Sequence, residues 1–222
     1  KFLVIGGNFE IKEMVDFLES VYEDIPRHPN KMELFSYEKS LKPRKDYDEI
    51  LDNVSCDHAI VTYRFKNDFS LDPLLVDLYL YIFNKMRFAS DTKLVSNLIK
   101  NEVIKAGISC TTDFFDGNIT QTYTADVIDL EKFIKAIEGE FNTKDLDHYY
   151  FDLIKRNMKV SELNKMDYIY RSIARFPTGI DFSEKLYAMA KLDEITLDGM
   201  KDLIEKIDFS IKTVTVIKKK AD

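Results

Sequence analysis

The chain has 222 residues, 45% of them hydrophobic, and its 39 acidic against 32 basic side chains give a formal charge of -7. That length suits one large globular domain or two small ones, and the negative charge argues against nucleic acid as a partner because it repels phosphate backbones. The longest apolar runs, such as residues 74–83 with Asp77 inside, fall short of the ~20 residues that cross a bilayer, so we expect no membrane partner.

The first predicted elements are a strand and an amphipathic helix. Residues 2–7, FLVIGG, are typical of a short buried strand, and a chain that opens within a strand suggests a piece of a longer polypeptide. Asn8 can cap the helix that follows, and Pro26 and Pro29 end it. Its apolar stripe is Ile11, Met14, Val15, Leu18 and Val21. Residues 31–46 are charged and irregular, which predicts an excursion over the surface.

A second β region and a buried helix come next. Residues 47–65 predict a second β region, in which Ala59, Val61, Tyr63 and Phe65 alternate with Ile60, Thr62 and Arg64, so that both faces are fairly apolar. Residues 71–87 are hydrophobic on nearly all sides, and this pattern places a helix in the interior of a protein.

Residues 90–118 predict a helix that leads directly into a hairpin. Ser90 and Asp91 can cap the helix, and Gly107 can end it. Its apolar residues at helical spacing are Leu94, Leu98 and Ile104. Asp116 and Gly117 form a tight-turn dipeptide between two β-rich runs.

The second arm of this hairpin predicts one apolar and one polar face. The apolar face is Ile119, Gln121, Tyr123, Ala125 and Val127. Thr120, Thr122 and Thr124 share the other face, and since threonine forms strands well and tolerates water, we expect that face to meet solvent or to be an edge surface.

The rest of the chain predicts helices and one closing strand. A helix carries the stripe Leu130, Phe133, Ile134 and Ile137. Residues 143–207 are helical, with a break at residues 176–179, and Thr196 can cap the last helix. Residues 209–217 form the final strand. We therefore predict a single α+β domain over residues 1–222, with one mostly antiparallel sheet of about five or six strands and helices on one face.

The histidines do not predict a metal site. They are His28, His58 and His148, whereas zinc in proteins usually takes three or four His, Cys or carboxylate ligands. His148 and Asp152 are spaced to share one helical face, but no third ligand follows nearby. We interpret His28 and His58 as ordinary polar residues.

The cysteines predict free thiols. Cys56 and Cys110 lie in β-rich runs and fit buried, reduced side chains, which favours a reducing, cytoplasmic compartment. Cys56 and His58 are two residues apart on a predicted strand, about 7 Å between Cβ atoms, which is too far for a proton relay. The glycine pair at residues 6–7 lacks the spacing of a phosphate loop. We therefore assign no catalytic residue and leave the substrate-binding residues unknown.

The element order and several local patterns resemble the insulinase/pitrilysin (inverzincin) family of zinc peptidases, which includes the mitochondrial processing peptidase. Domains of that family commonly open with a strand, Gly-Asp/Asn-Phe and an amphipathic helix. The resemblance spans nearly the whole chain and is closest to a bacterial branch. It is carried by residues 3–26, 75–86, 87–94, 105–108, the hairpin and 195–217.

The resemblance implies a domain without catalytic activity of its own. The family's H-x-x-E-H signature, in which two histidines bind zinc and the glutamate activates water, is missing here. The substrate-steadying Arg and Tyr of some family halves are also missing, since Leu98 precedes Ile99 and Gly107 precedes Ile108 and Ser109. We expect no cofactor in this segment, with zinc in the other half of the parent protein.

Two functions follow from the resemblance. The first is a non-catalytic domain that forms part of the wall of a peptide-enclosing chamber, whose partners are a catalytic half or partner subunit and an extended peptide. The alternative is a structural or assembly subunit, since family members serve in respiratory complexes without hydrolysing anything. A small-molecule enzyme has no cluster of polar residues to support it. An H-x-x-E-H motif elsewhere in the parent polypeptide would favour the peptidase.

Overall fold

The computed structural model describes residues 9–23, 43–115, 117–166 and 190–220. The helices in these ranges are α1 (Ile11–Tyr22), α2 (Pro73–Phe88), α3 (Lys93–Lys100), α4 (Leu130–Gly139), α5 (His148–Met166) and α6 (Leu197–Lys206), and residues 190–194 are also helical. The strands are β1 (Tyr47–Asp52), β2 (His58–Lys66), β3 (Ser109–Phe115), β4 (Asn118–Asp126) and β5 (Lys212–Lys219).

The described strands form one five-stranded sheet in the order β1-β5-β2-β4-β3. β1 runs parallel to β5, and the other three neighbouring pairs are antiparallel. The closing strand β5 thus takes an interior position in the sheet, between β1 and β2. The predicted α+β class with a single, mostly antiparallel sheet is confirmed.

The core lies between one face of the sheet and the helices. Ala59, Val61, Tyr63 and Phe65 of β2 are all buried, as the alternating pattern predicts. From β4, Tyr123 reaches α2: its hydroxyl donates to Asn84 Oδ1 at 3.1 Å. Its ring packs against that of Phe88 with centroids 4.7 Å apart.

α2 is the central helix of this core. Asp72 caps it by accepting a hydrogen bond from the Leu74 amide, and Pro73 supplies a first helical residue that needs no amide partner. Its buried residues are Val76, Leu78, Tyr79, Leu80, Ile82, Phe83, Asn84, Met86 and Phe88. This confirms the helix predicted in the interior.

The predicted hairpin is present and sets the register of β3 against β4. Phe115 pairs with Asn118, so two residues form the turn. Gly117 has a φ of 74°, in the left-handed region that such turns require and that glycine adopts without strain. Asp116 lies outside the described residues.

The prediction for the helix before the hairpin was wrong in its end and its cap. α3 stops at Lys100, and Thr92 caps it by accepting from the Val95 amide. Glu102 then takes a φ of 54° and turns the chain. Ile104, expected on the helical stripe, instead pairs with Val127 in an antiparallel bridge, so the chain is already extended before Gly107.

Smaller differences concern the ends of elements. β5 covers Lys212–Lys219 rather than residues 209–217. α1 begins at Ile11 with Glu10 in the capping position. Thr196 caps α6 as predicted, by accepting from the Gly199 amide at 3.0 Å. The strand at residues 2–7, Asn8, Pro26, His28, Pro29 and the break at residues 176–179 lie outside the described residues, and the single domain over residues 1–222 stays a prediction.

Candidate functional site

The face of the sheet opposite the helices is a polar surface built largely of threonine. In register across four strands, Thr111 of β3 pairs with Thr122 of β4, which pairs with Thr62 of β2, which pairs with Thr213 of β5. Thr62 Oγ1 and Thr122 Oγ1 are 3.2 Å apart. We call this surface the threonine face; its other threonines are Thr120, Thr124 and Thr215.

The side chains of the threonine face are only partly exposed, although no described helix packs a row of buried residues against this face. Thr62, Thr122 and Thr213 have intermediate exposure, while Thr111 on the edge strand is exposed. Threonine presents a methyl group and a hydroxyl that both donates and accepts, so a row of threonines can hydrogen-bond to a peptide backbone and also contact apolar side chains. The solvent-facing side predicted for the threonines of β4 therefore extends over neighbouring strands.

A hydrogen-bonded group lies at one end of the threonine face. His58 Nδ1 is 2.9 Å from Asp126 Oδ1, and both side chains are more than one-third exposed. The pKa of Asp126 is lowered mainly by the hydrogen bond from His58 and to a smaller extent by one from Cys56. Because the imidazole nitrogen is directed at the carboxylate, this geometry does not form the Cys–His pair of a nucleophilic enzyme.

The expected position of Cys56 was wrong. It lies in the connection between β1 and β2 rather than on a strand. The free state of both cysteines is as predicted, and both are partly buried. Burial raises the pKa of the Cys110 thiol to about 12, so this thiol stays protonated and inert at neutral pH.

The residues that the structure describes do not fit a zinc site. His148 Nδ1 and Asp152 Oδ2 are 3.2 Å apart, so they share a helical face as their spacing predicts, but both are solvent-exposed. Within the part of the chain that the structure describes, no group of three or more His, Cys, Asp or Glu side chains could hold a metal ion. His28 lies outside that part.

Comparison with known proteins identifies the fold. No protein-family model matches the sequence, and a search of curated proteins finds no match. Among solved structures, a protein of Alicyclobacillus acidocaldarius described as M16-like peptidase superposes with a TM-score of 0.70 and 11% identity over 96% of this chain and 53% of that one. An M16 peptidase inactive domain from Pseudomonas fluorescens superposes with a TM-score of 0.66 and 15% identity, over 97% of this chain and 52% of that one. A chain of complex III2 from Candida albicans superposes with a TM-score of 0.62 and 13% identity, over 95% of this chain and 53% of that one.

The chain has the M16-like peptidase fold. These identities are low, so the likeness establishes the architecture and not an activity. The chain spans about half the length of each of these solved chains. This M16-like domain therefore corresponds to about half of each solved chain that it resembles.

The M16-like domain also has a cleft between the β2–α2 connection and α6, which sequence reasoning did not find. Its volume is about 560 Å³, and Asp68, Tyr79, Gly199, Asp202 and Lys206 are among its lining residues. An adjoining cleft of about 260 Å³ is lined by both acidic and basic side chains. Among the described lining residues of the two clefts there is no histidine and no cysteine.

Two further points follow for this M16-like domain. Across the described ranges, no helix is both long and apolar enough to pass through a bilayer.

The sequence did not lead us to Thr111, Thr213 and Thr215 as members of the polar face. For Thr213 and Thr215 the sequence contains a local indication, because the alternation of threonine and valine at residues 213–216 is typical of a strand with one polar face.

Proposed function

We propose that this chain is the non-catalytic half of an insulinase/pitrilysin-type zinc peptidase and forms part of the wall of its peptide-enclosing chamber. The observation that carries the proposal is its M16-like fold, which spans about half of solved chains that include an M16 inactive domain. Because the fold accounts for only about half of those chains, it supports the presence of a second domain of similar size, which we call the companion half.

The composition of the chain supports a non-catalytic role. Its sequence contains no H-x-x-E-H motif, and the nearest pair with ligand spacing, His148 and Asp152, is exposed and without a third ligand among the described residues. Zinc and the water-activating glutamate would therefore belong to the companion half, and no catalytic step is assigned to this chain.

The threonine face is the part of this chain that we assign to the chamber wall. A wall that contacts peptides of varied sequence needs hydrogen-bonding groups for the backbone and no deep, selective pocket. The row Thr111, Thr122, Thr62 and Thr213 offers hydroxyl groups along a direction that crosses four strands. The His58–Asp126 pair supplies polar groups at its end.

A charge placed on this face tests the assignment in the assembled protein. Thr111→Lys introduces a cation on the exposed end of the threonine row, and Ser96→Lys introduces the same cation on the exposed surface of α3. With the companion half present, we expect Thr111→Lys to change KM for basic peptides at least severalfold and Ser96→Lys to leave it unchanged. Equal behaviour of the two variants would remove the threonine face from the chamber.

The assembly role is a second candidate, favoured by the likeness to a chain of complex III2. It predicts a stable complex with a companion half that has no H-x-x-E-H motif and shows no chelator-sensitive hydrolysis. The sequence of the companion half therefore separates the two functions before any assay.

A further inference from the structure

We infer that the apolar side of α1 is a docking surface for the companion half of the assembled protein. The inference rests on the proposed function, because it takes the companion half from there, and it names the surface by which that half is held. We call this surface the α1 stripe; it consists of Ile11, Met14, Val15, Leu18, Val21 and Tyr22.

Among the residues that the structure describes, the α1 stripe is largely exposed: Met14 and Leu18 are half-buried and its other members are exposed. At 100° per residue its members fall within one third of the helix circumference, and Lys12, Glu13, Asp16, Glu19 and Ser20 occupy the opposite side. None of the residues of α1 is buried. Ile11 is 77% exposed, and Phe17, at the border of the stripe, is 60% exposed.

Other amphipathic helices of the same chain behave differently. α6 is shorter than α1 and buries Leu197, Met200, Leu203 and Ile204, while α4 buries Phe133 and Ile137. A helix of twelve residues is marginal in water unless its apolar side is packed. α1 therefore has the sequence of a packed helix, but within the described part of the chain it buries none of its residues, unlike α4 and α6.

The length of the related structures points to the occupant. This chain covers 53% of the A. acidocaldarius chain and 52% of the P. fluorescens chain, so about half of each of those chains has no counterpart in this one. An exposed patch of this kind marks an interaction site on a soluble protein. The companion half is the partner that these lengths imply.

The negative charge of the α1 segment indicates what kind of surface the partner presents. Residues 9–23 contain one basic side chain, Lys12, and five acidic ones: Glu10, Glu13, Asp16, Glu19 and Glu23. Because most of these carboxylates lie on the side opposite the stripe, they act together as a negative field, and the complementary surface is an apolar groove in a region of net positive charge. A second copy of this chain is disfavoured, since two acidic helices would meet, and an anionic membrane surface is disfavoured for the same reason.

Thiol labelling of the assembled protein tests the docking. Val15→Cys places a thiol in the stripe, and Ser20→Cys places one on the opposite side of α1, both in a Cys56→Ser background. The reagent is a maleimide, and each variant is labelled alone and with the companion half, whether that half is encoded in the same or in a separate reading frame. We expect companion binding to slow labelling of Val15→Cys at least tenfold and to leave Ser20→Cys unchanged.

The outcomes separate this inference from the proposed function. Equal labelling of Val15→Cys with and without the companion half overturns the inference, even if the assembled protein cleaves peptides. Protection of Val15→Cys in the chain alone, together with a dimeric mass in solution, also overturns it, because the occupant is then a second copy. Protection that needs the companion half supports the inference even if no peptide is cleaved, in which case only the peptidase function fails.

A binding measurement provides an independent check. Val15→Asp should weaken the dissociation constant for the companion half by roughly tenfold or more, as expected for an apolar residue near the centre of an interface. Glu13→Ala, on the opposite side of α1, should change it little. Equal affinities for the two variants, with α1 helical in both by circular dichroism, would contradict the docking surface.

Discussion

Tyr123→Phe should destabilise the chain by breaking the buried hydrogen bond between the sheet and α2. Tyr123 is 1% exposed and Asn84 is 8% exposed, and the hydroxyl donates to Asn84 Oδ1 at 3.1 Å. The substitution keeps the ring that packs on Phe88, so the main loss is the hydrogen bond. Leaving a buried acceptor without its donor costs about 1–3 kcal/mol.

A double-mutant cycle isolates this interaction from the effects on packing. Asn84→Leu alone leaves the Tyr123 hydroxyl without its partner, and the double variant Tyr123→Phe/Asn84→Leu removes both polar groups. We expect the double variant to be more stable than the sum of the single costs predicts, by about 1 kcal/mol or more. Urea unfolding followed by circular dichroism measures all four free energies. Costs that simply add would refute the reasoning.

Three further predictions concern other parts of the fold. Gly199→Ala should lower the free energy of unfolding by about 1–3 kcal/mol, because an added Cβ would lie 2.5 Å from the Tyr79 hydroxyl; an unchanged unfolding midpoint would contradict this. Cys110, whose pKa burial raises to about 12, should react with iodoacetamide at pH 8 on the order of a thousandfold more slowly in the folded chain than in urea, as mass spectrometry can measure. Hydrogen bonding to His58 lowers the pKa of Asp126, so the pair stabilises the fold above the ordinary carboxyl pKa of about 3.9 and this contribution is lost as the pH falls through the folded value. Asp126→Asn should therefore lower the melting temperature slightly at pH 6 and not at pH 2. The loss in free energy of unfolding at pH 6 should be less than about 1 kcal/mol, because the pair is exposed. A larger fall in melting temperature at pH 2 than at pH 6 would contradict this.

The sequence predicted those parts of the fold that depend on local pattern. The alternation around Tyr123 gave the buried and polar faces of β4, and Gly117 gave the hairpin turn. Thr196 gave the start of α6 because a side-chain oxygen three residues before a free amide is a local signal. Each of these features is decided within a few residues.

Features that depend on distant partners were not predictable in the same way. The spacing of Leu98 and Ile104 allowed a longer helix, but pairing of Ile104 with Val127 holds that segment extended. The parallel pairing of β1 with β5 joins residues more than 150 positions apart along the chain. The threonine row likewise exists only once β3, β4, β2 and β5 are in register, so its four members could not be grouped from local pattern.

Zinc content and peptide hydrolysis, measured on this chain alone and with the proposed companion half, test the central claim most directly. We expect no stoichiometric zinc and no chelator-sensitive cleavage of a peptide by the chain alone, and both zinc and cleavage once the proposed companion half is present. Stoichiometric zinc together with chelator-sensitive cleavage by the chain alone would contradict it.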